Sequence, residues 1–175
     1  MVIKRLACVL TAVVLLLLPG CNNSKVSPEE ATSKLSSPYN TKAVLQYQDI
    51  KANLEMVKSE GRCEVTFESP DALKDLTFDY TGDLVTVNYG KLSFSVEPDS
   101  MPGQAMSSML VSSLNTALND RGISVKQENG AIKVVGKTNG SEFELVLDRN
   151  NGNALTLKVP EDDLSLQFYN FSFIS

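Results

Sequence analysis

The chain has 175 residues, 42% of them hydrophobic, a net charge of −5, three cysteines, and neither histidine nor tryptophan. That length suits one ordinary domain. Without histidine, the usual hydrolytic triads and most metal constellations fall away, and the acid excess argues against a nucleic-acid or anionic-bilayer binder, since both need basic patches.

The chain opens as a leader. Lys4 and Arg5 precede the apolar run Leu6–Leu18, and Pro19-Gly20-Cys21 follows. A basic start, a short apolar core and a small residue before the cut predict a secretory signal over 1–20. The run is about 13 residues, short of the ~18–20 that a spanning helix needs. An uncleaved, stubby anchor is the alternative. Leu18-Pro19-Gly20-Cys21 resembles the bacterial lipobox. That resemblance implies diacylglyceryl transfer to the Cys21 thiol, cleavage before it, and anchoring through two acyl chains of the palmitate kind. The alternative is a chance cysteine after an ordinary signal.

Cleavage would leave 14 basic and 21 acidic residues, a net charge of −7. Cys8 would leave with the leader and Cys21 would be acylated, so Cys63 stands alone and no intrachain disulfide is expected. Residues 21–38 read as a lipidated flexible tether, because Asn22–Pro38 is polar and aperiodic. As a flexible chain it would hold the domain roughly 20–25 Å from the membrane. Ser27 and Pro28 are a cap and first position for a short helix around Glu29–Leu35.

Residues 39–175 form the expected domain. Thr41–Tyr47 is its first strand. In Ile50–Lys58, Ile50, Ala52, Leu54 and Met56 alternate with polar residues, a period of two. Arg62–Glu68 puts Cys63, Val65 and Phe67 on one face, which makes Cys63 a small buried hydrophobe. Asp71–Asp75 reads as a helical turn. Leu76–Tyr80, Leu84–Tyr89 and Leu92–Glu97 follow at meander spacing with glycines at the corners. Ser100–Asn119 is then the one helix, with Ser100 as N-cap, Pro102 in the first turn, and Met106, Met109, Leu110, Leu114, Ala117 and Leu118 on one stripe. Gly122 stops it.

After the helix, Asn129-Gly130, Asn139-Gly140 and Asn150-Asn151-Gly152 join four strands from Ile123 to Val159. Asn-Gly takes positive φ at both central positions of a type I′ turn. Leu164–Ile174 is the last strand. About eleven strands in one meander must curl, and the helix, lying mid-order, is placed to cross the open side.

This order of elements resembles the LolA/LolB-type lipoprotein-carrier superfamily. Cys63–Gly103, reading CEVTFESPDALKDLTFDYTGDLVTVNYGKLSFSVEPDSMPG, also resembles poorly characterised lipoproteins of Gram-positive bacteria. The resemblance implies a mainly β (α+β) incomplete barrel: a curled eleven-stranded antiparallel sheet with a helix over its concave apolar side.

No G-x-S-x-G elbow and no phosphate-cradling G-x-x-x-x-G-K loop occurs. No enzyme, metal or cofactor is expected; an enzyme would need paired carboxylates of perturbed pKa in one deep pocket. Glu161-Asp162-Asp163 lacks the alternating ligands of a Ca²⁺ loop. Two readings of function stay open. One is a monomeric, membrane-anchored lipoprotein on the extracytoplasmic face, holding a lipid, lipopeptide or other hydrophobe beneath a helix lid. Met106, Met109, Leu110 and Leu114 would line that cavity with Phe67, Phe78 and Phe94. The other is an interaction or sensor module with a filled core, in which the helix stripe is only a packing seam.

Overall fold

The computed structural model describes residues 25–174 apart from 83, 98–105, 119–121 and 139. Cys21 and the expected N-cap Ser100 lie outside them.

Helix α1 (Pro28–Lys34) comes first. Its start follows from its residues. The Glu30 N–H donates to Ser27 Oγ at 3.1 Å, and Pro28 takes an early position where no N–H is needed. Glu29 and Glu30 sit at the positive end of the helix dipole and Lys34 at the negative end. Val26, Ala31 and Leu35 are buried in the main core. The tether expected over 21–38 is therefore folded from Val26 onward. Three apolar side chains gain a buried site there, which offsets the ordering entropy that a polar segment could not. Gly152, with φ +80, lets the opposite turn come close: a Cβ there would meet Lys34 Cδ at 3.2 Å.

Six strands follow: β1 (Tyr39–Tyr47), β2 (Ile50–Ser59), β3 (Arg62–Ser69), β4 (Thr77–Thr81), β5 (Leu84–Tyr89) and β6 (Leu92–Val96). Then come helix α2 (Met106–Leu118) and five more strands, β7 (Ser124–Glu128), β8 (Ala131–Thr138), β9 (Ser141–Asp148), β10 (Ala154–Val159) and β11 (Leu164–Phe173). All eleven form one antiparallel sheet in the order β6-β5-β4-β3-β2-β1-β11-β10-β9-β8-β7. The edges β6 and β7 do not pair, so the sheet curls without closing. Asn129 and Gly130 both have positive φ, as the predicted type I′ turn requires.

Bulges shape the curl and aim side chains. In β11 the register with β1 shifts between Asn40 and Lys42, and Asn170 takes φ 52. The extra residue puts Phe171 on the same face as Phe168, a spacing of three where plain alternation gives two or four. The two rings meet edge to face at 6.5 Å, and Tyr39 stacks on Phe171 at 4.8 Å. A second bulge lies between Ala154 and Thr156 and turns both Ala154 and Leu157 inward.

The two sheet faces differ in chemistry. The outer face carries ion pairs: the Arg62 guanidinium grips Asp79 at 2.8 and 2.9 Å, Lys133 reaches Glu144 at 2.6 Å, and Lys42 holds Glu68. Arg62 beside Asp79 holds that carboxyl below its usual range. The inner face is apolar and carries α2. Leu110, Val111, Leu114 and Ala117 pack there with Ile132, Phe143 and Leu145 in one core.

Candidate functional site

Among the described residues, the inner face is the large apolar surface of the sheet, and strand register fixes what lies on it. One row runs Thr41, Met56, Val65, Phe78, Val87, Phe94 across β1 to β6. Phe67 lies one row away and meets Phe78 edge to face at 6.2 Å. All three predicted phenylalanines therefore share the inner face, in different states. Phe67 is fully buried, Phe78 is half-buried against the core, and Phe94 is 55% exposed.

The helix covers only part of this face. It packs on β8 and β9, at the far side of the sheet from β6. Leu110 and Leu114 are buried in the core there, so along them α2 is a plug seated on the sheet. Met106 lies within α2, and so does Met109; their side chains are outside the described residues. Beyond the helix the inner face runs on to the edge, where Leu92 is 68% exposed beside Phe94. The outer face of the same two strands is polar and satisfied: Thr86 bonds Ser95 at 2.9 Å, and Ser93 donates to Asn88 at 2.7 Å. The exposed apolar residues thus lie on the side that elsewhere in the sheet is core.

One side chain breaks the apolar pattern. The next row reads Phe173, Tyr39, Lys58, Cys63, Tyr80, Val85, Val96. Among the described strand residues, Lys58 is the only charged side chain on the inner face. Its Nζ donates to the Leu35 C=O at 2.6 Å, where α1 ends, and stands 5.7 Å from the Tyr39 ring. Burial pulls its pKa down from the usual lysine value. Burial also pushes the neighbouring Cys63 thiol up to about 11, so it is protonated and inert at neutral pH. The sequence signal for Lys58 was in plain view: continuing the alternation Ile50, Ala52, Leu54, Met56 by one step lands on it.

A second concavity, open and about 720 Å³, lies at the opposite end of the strands and is polar, lined by Gln46, Gln48, Asp49, Lys158 and Asp163. Among the described residues, no cluster of His, Cys, Asp or Glu could hold a metal, and no helix is long and apolar enough to cross a membrane.

No family model matches this chain, and no curated protein matches it. Solved structures do. An uncharacterised conserved protein of Thermus thermophilus superposes with a TM-score of 0.55 at 14% identity, over 83% of each chain. A chain in the structure of the CwlD amidase of Clostridioides difficile with the GerS lipoprotein gives 0.51 at 15% identity, over 78% of this chain and 86% of that one. A LolA superfamily protein of Nitrosomonas europaea gives 0.44 at 7% identity, over 85% and 92%. Identities this low speak to the fold alone. The fold is eleven antiparallel strands in one curled, unclosed sheet with a helix on its inner face.

Proposed function

We propose that this protein is a lipid-anchored, extracytoplasmic, non-enzymatic lipoprotein that binds a hydrophobic ligand against the inner face of its half-barrel. One observation carries the reading: the apolar inner face continues past α2 to β6 and leaves Leu92 and Phe94 in solvent. Exposed apolar residues gathered at one place mark a binding surface more often than isolated ones do. Cys21 would carry the anchor. Four residues separate it from the buried Val26, five Cα–Cα steps with a reach of about 18 Å at most, so the anchored domain would sit close against the bilayer.

The test is native mass spectrometry of unacylated protein, with solvent extraction of whatever copurifies, and uptake of an environment-sensitive apolar dye. Copurified lipid or dye uptake that Phe94→Asp abolishes is the expected result. A protein that takes up neither would end this reading.

The second reading is a protein-interaction module. The packing of Leu110 and Leu114 directly into the core favours it, since a filled half-barrel leaves little room under the helix. A structure that shares the fold holds a lipoprotein together with an amidase. With its acid excess the partner surface would be basic. Crosslinking on intact cells would recover one specific partner if this reading holds.

A further inference from the structure

We infer that β6 is a self-complementary edge that pairs antiparallel with β6 of a second copy of this chain, centred on Phe94. The inference stands apart from the ligand-binding reading above, because it uses the edge of β6 rather than its face.

Three observations carry it. First, this edge lacks the usual protection. A bare edge invites another strand unless charge, proline or a bulge blunts it. β6 reads LSFSV, and its register with β5 runs unbroken from Val85–Val96 to Tyr89–Leu92. Leu92, Ser93, Phe94 and Ser95 are all exposed. The other edge, β7, reads SVKQE, carries Lys126 and Glu128, and has α1 near it.

Second, the free backbone groups fall in the right places. Tyr89 and Leu92 close the two-residue turn Gly90-Lys91, and such a closing pair is hydrogen-bonded. The alternation from there turns the amides of Leu92, Phe94 and Val96 towards β5, and those of Ser93 and Ser95 outwards. A second copy centred on Phe94 sets its Ser95 opposite Ser93 and its Ser93 opposite Ser95. Each of these pairs exchanges both of its N–H···O bonds.

Third, the side chains mirror themselves about the same centre. From Lys91 to Glu97 the chain reads KLSFSVE. Pairing about Phe94 puts serine opposite serine, leucine opposite valine and lysine opposite glutamate. The two Phe94 rings meet in a non-hydrogen-bonded pair, where side chains stand closest. Lys91 and Glu97 are both exposed, and neither forms an ion pair among the described residues. In the pair each faces its opposite charge. Sliding the copies one step either way centres a serine, parts the rings and sets a serine opposite Lys91 or Glu97.

The experiment uses the chain from residue 21 onward with Cys21→Ser, which contains every buried core residue. An interface this small is weak, so sedimentation is followed over a concentration series up to about 1 mM. A monomer–dimer equilibrium is expected. Ser95→Pro removes an outward N–H and leaves the ladder with β5 in place. It should weaken dimerisation at least about tenfold, a difference of about 1.4 kcal/mol. Lys91→Glu and Glu97→Lys should each weaken it too, because either homodimer holds like charges face to face. Mixed together, these two variants should dimerise as the parent does, since every facing pair is again opposite in charge. A chain that stays monomeric throughout overturns the inference. So does a dimer indifferent to Ser95→Pro and to both charge changes, or a mixture that restores nothing. Apolar dye uptake is measured alongside. A dimer without uptake ends the ligand-binding reading alone, and uptake without a dimer ends this inference alone.

Discussion

The two arms of the sheet are built alike and end differently. From the central pair β1 and β11, one arm runs out through β2 to β6 and the other through β10 to β7. Both are meanders with glycine turns and alternating side chains. In the arm ending at β7, Ile132, Val134, Phe143, Leu145, Leu147 and Leu157 are all fully buried, because α2 lies across β8 and β9. At the end of the other arm, Leu92 and Phe94 repeat the same alternation with nothing over them that hides them. Alternation thus fixes which way a side chain points. Whether that direction is core or solvent is decided by what packs over it: Val65, Phe67 and Val85 on the arm towards β6 are as buried as the residues under α2, and the cover ends at β6.

The largest test of this asymmetry is a matched pair of truncations. Phe143→Ala should cost about 3–5 kcal/mol in urea unfolding, because a fully buried ring leaves a cavity. Phe94→Ala should change stability by no more than about 0.5 kcal/mol. Equal losses would mean that the outer strands are covered after all. Next comes Gly136→Ala in β8. Its Cβ would meet Phe143 Cε1 at 2.7 Å and Cζ at 2.8 Å, so overpacking should cost about 1–3 kcal/mol. Shortening the ring as well, in Gly136→Ala with Phe143→Leu, should cost less than the two changes added.

A smaller loss is expected from Ser27→Ala, about 1 kcal/mol, since it strips the cap from α1. A loose tether would show no change at all. The smallest effect probes how well the arm towards β6 is covered. Cys63 lies in β3, inside that arm, and its thiol is held protonated up to about pH 11. Alkylation of the folded protein should stay slow at pH 8 and accelerate only as the pH approaches that value. The sign follows from burial of the neutral form. Any stability this group contributes is complete below its ordinary pKa of 9.0 and drains away as pH rises through about 11. Rapid labelling at pH 8 would place Cys63 in solvent.

Much of this was legible in the residues. Period two located the strands, the Asn-Gly pairs located the hairpins after the helix, and the order of six strands, one helix and five strands stands as read. Four things were not legible, for separate reasons. The pairing of β1 with β11 joins residues more than a hundred positions apart, and no local pattern records it. The burial of Val26, Ala31 and Leu35 escaped because seven helical residues are too few to display a stripe. Phe94 lies on the inner face that its alternation assigns it, but its 55% exposure depends on what packs over β6, which no local pattern records. Phe171 needed the Asn170 bulge, and an asparagine in a strand does not announce a shift of register.

The β1–β11 pair has a consequence in time. Most neighbours in this sheet are also neighbours in the chain, so either arm has hairpins that can zip up as soon as they exist. The middle of the sheet cannot. Until Leu164–Phe173 is available, β1 and β10 are both raw edges, with unpaired amides along their length. A chain made or exported from its first residue therefore holds two half-sheets that join only at the last step. The slowest event in its folding should be this closure of the middle, delayed by the wide loop it must close. Any nascent or truncated form that stops short of residue 164 would keep two sticky edges where the finished protein has its most protected hydrogen bonds.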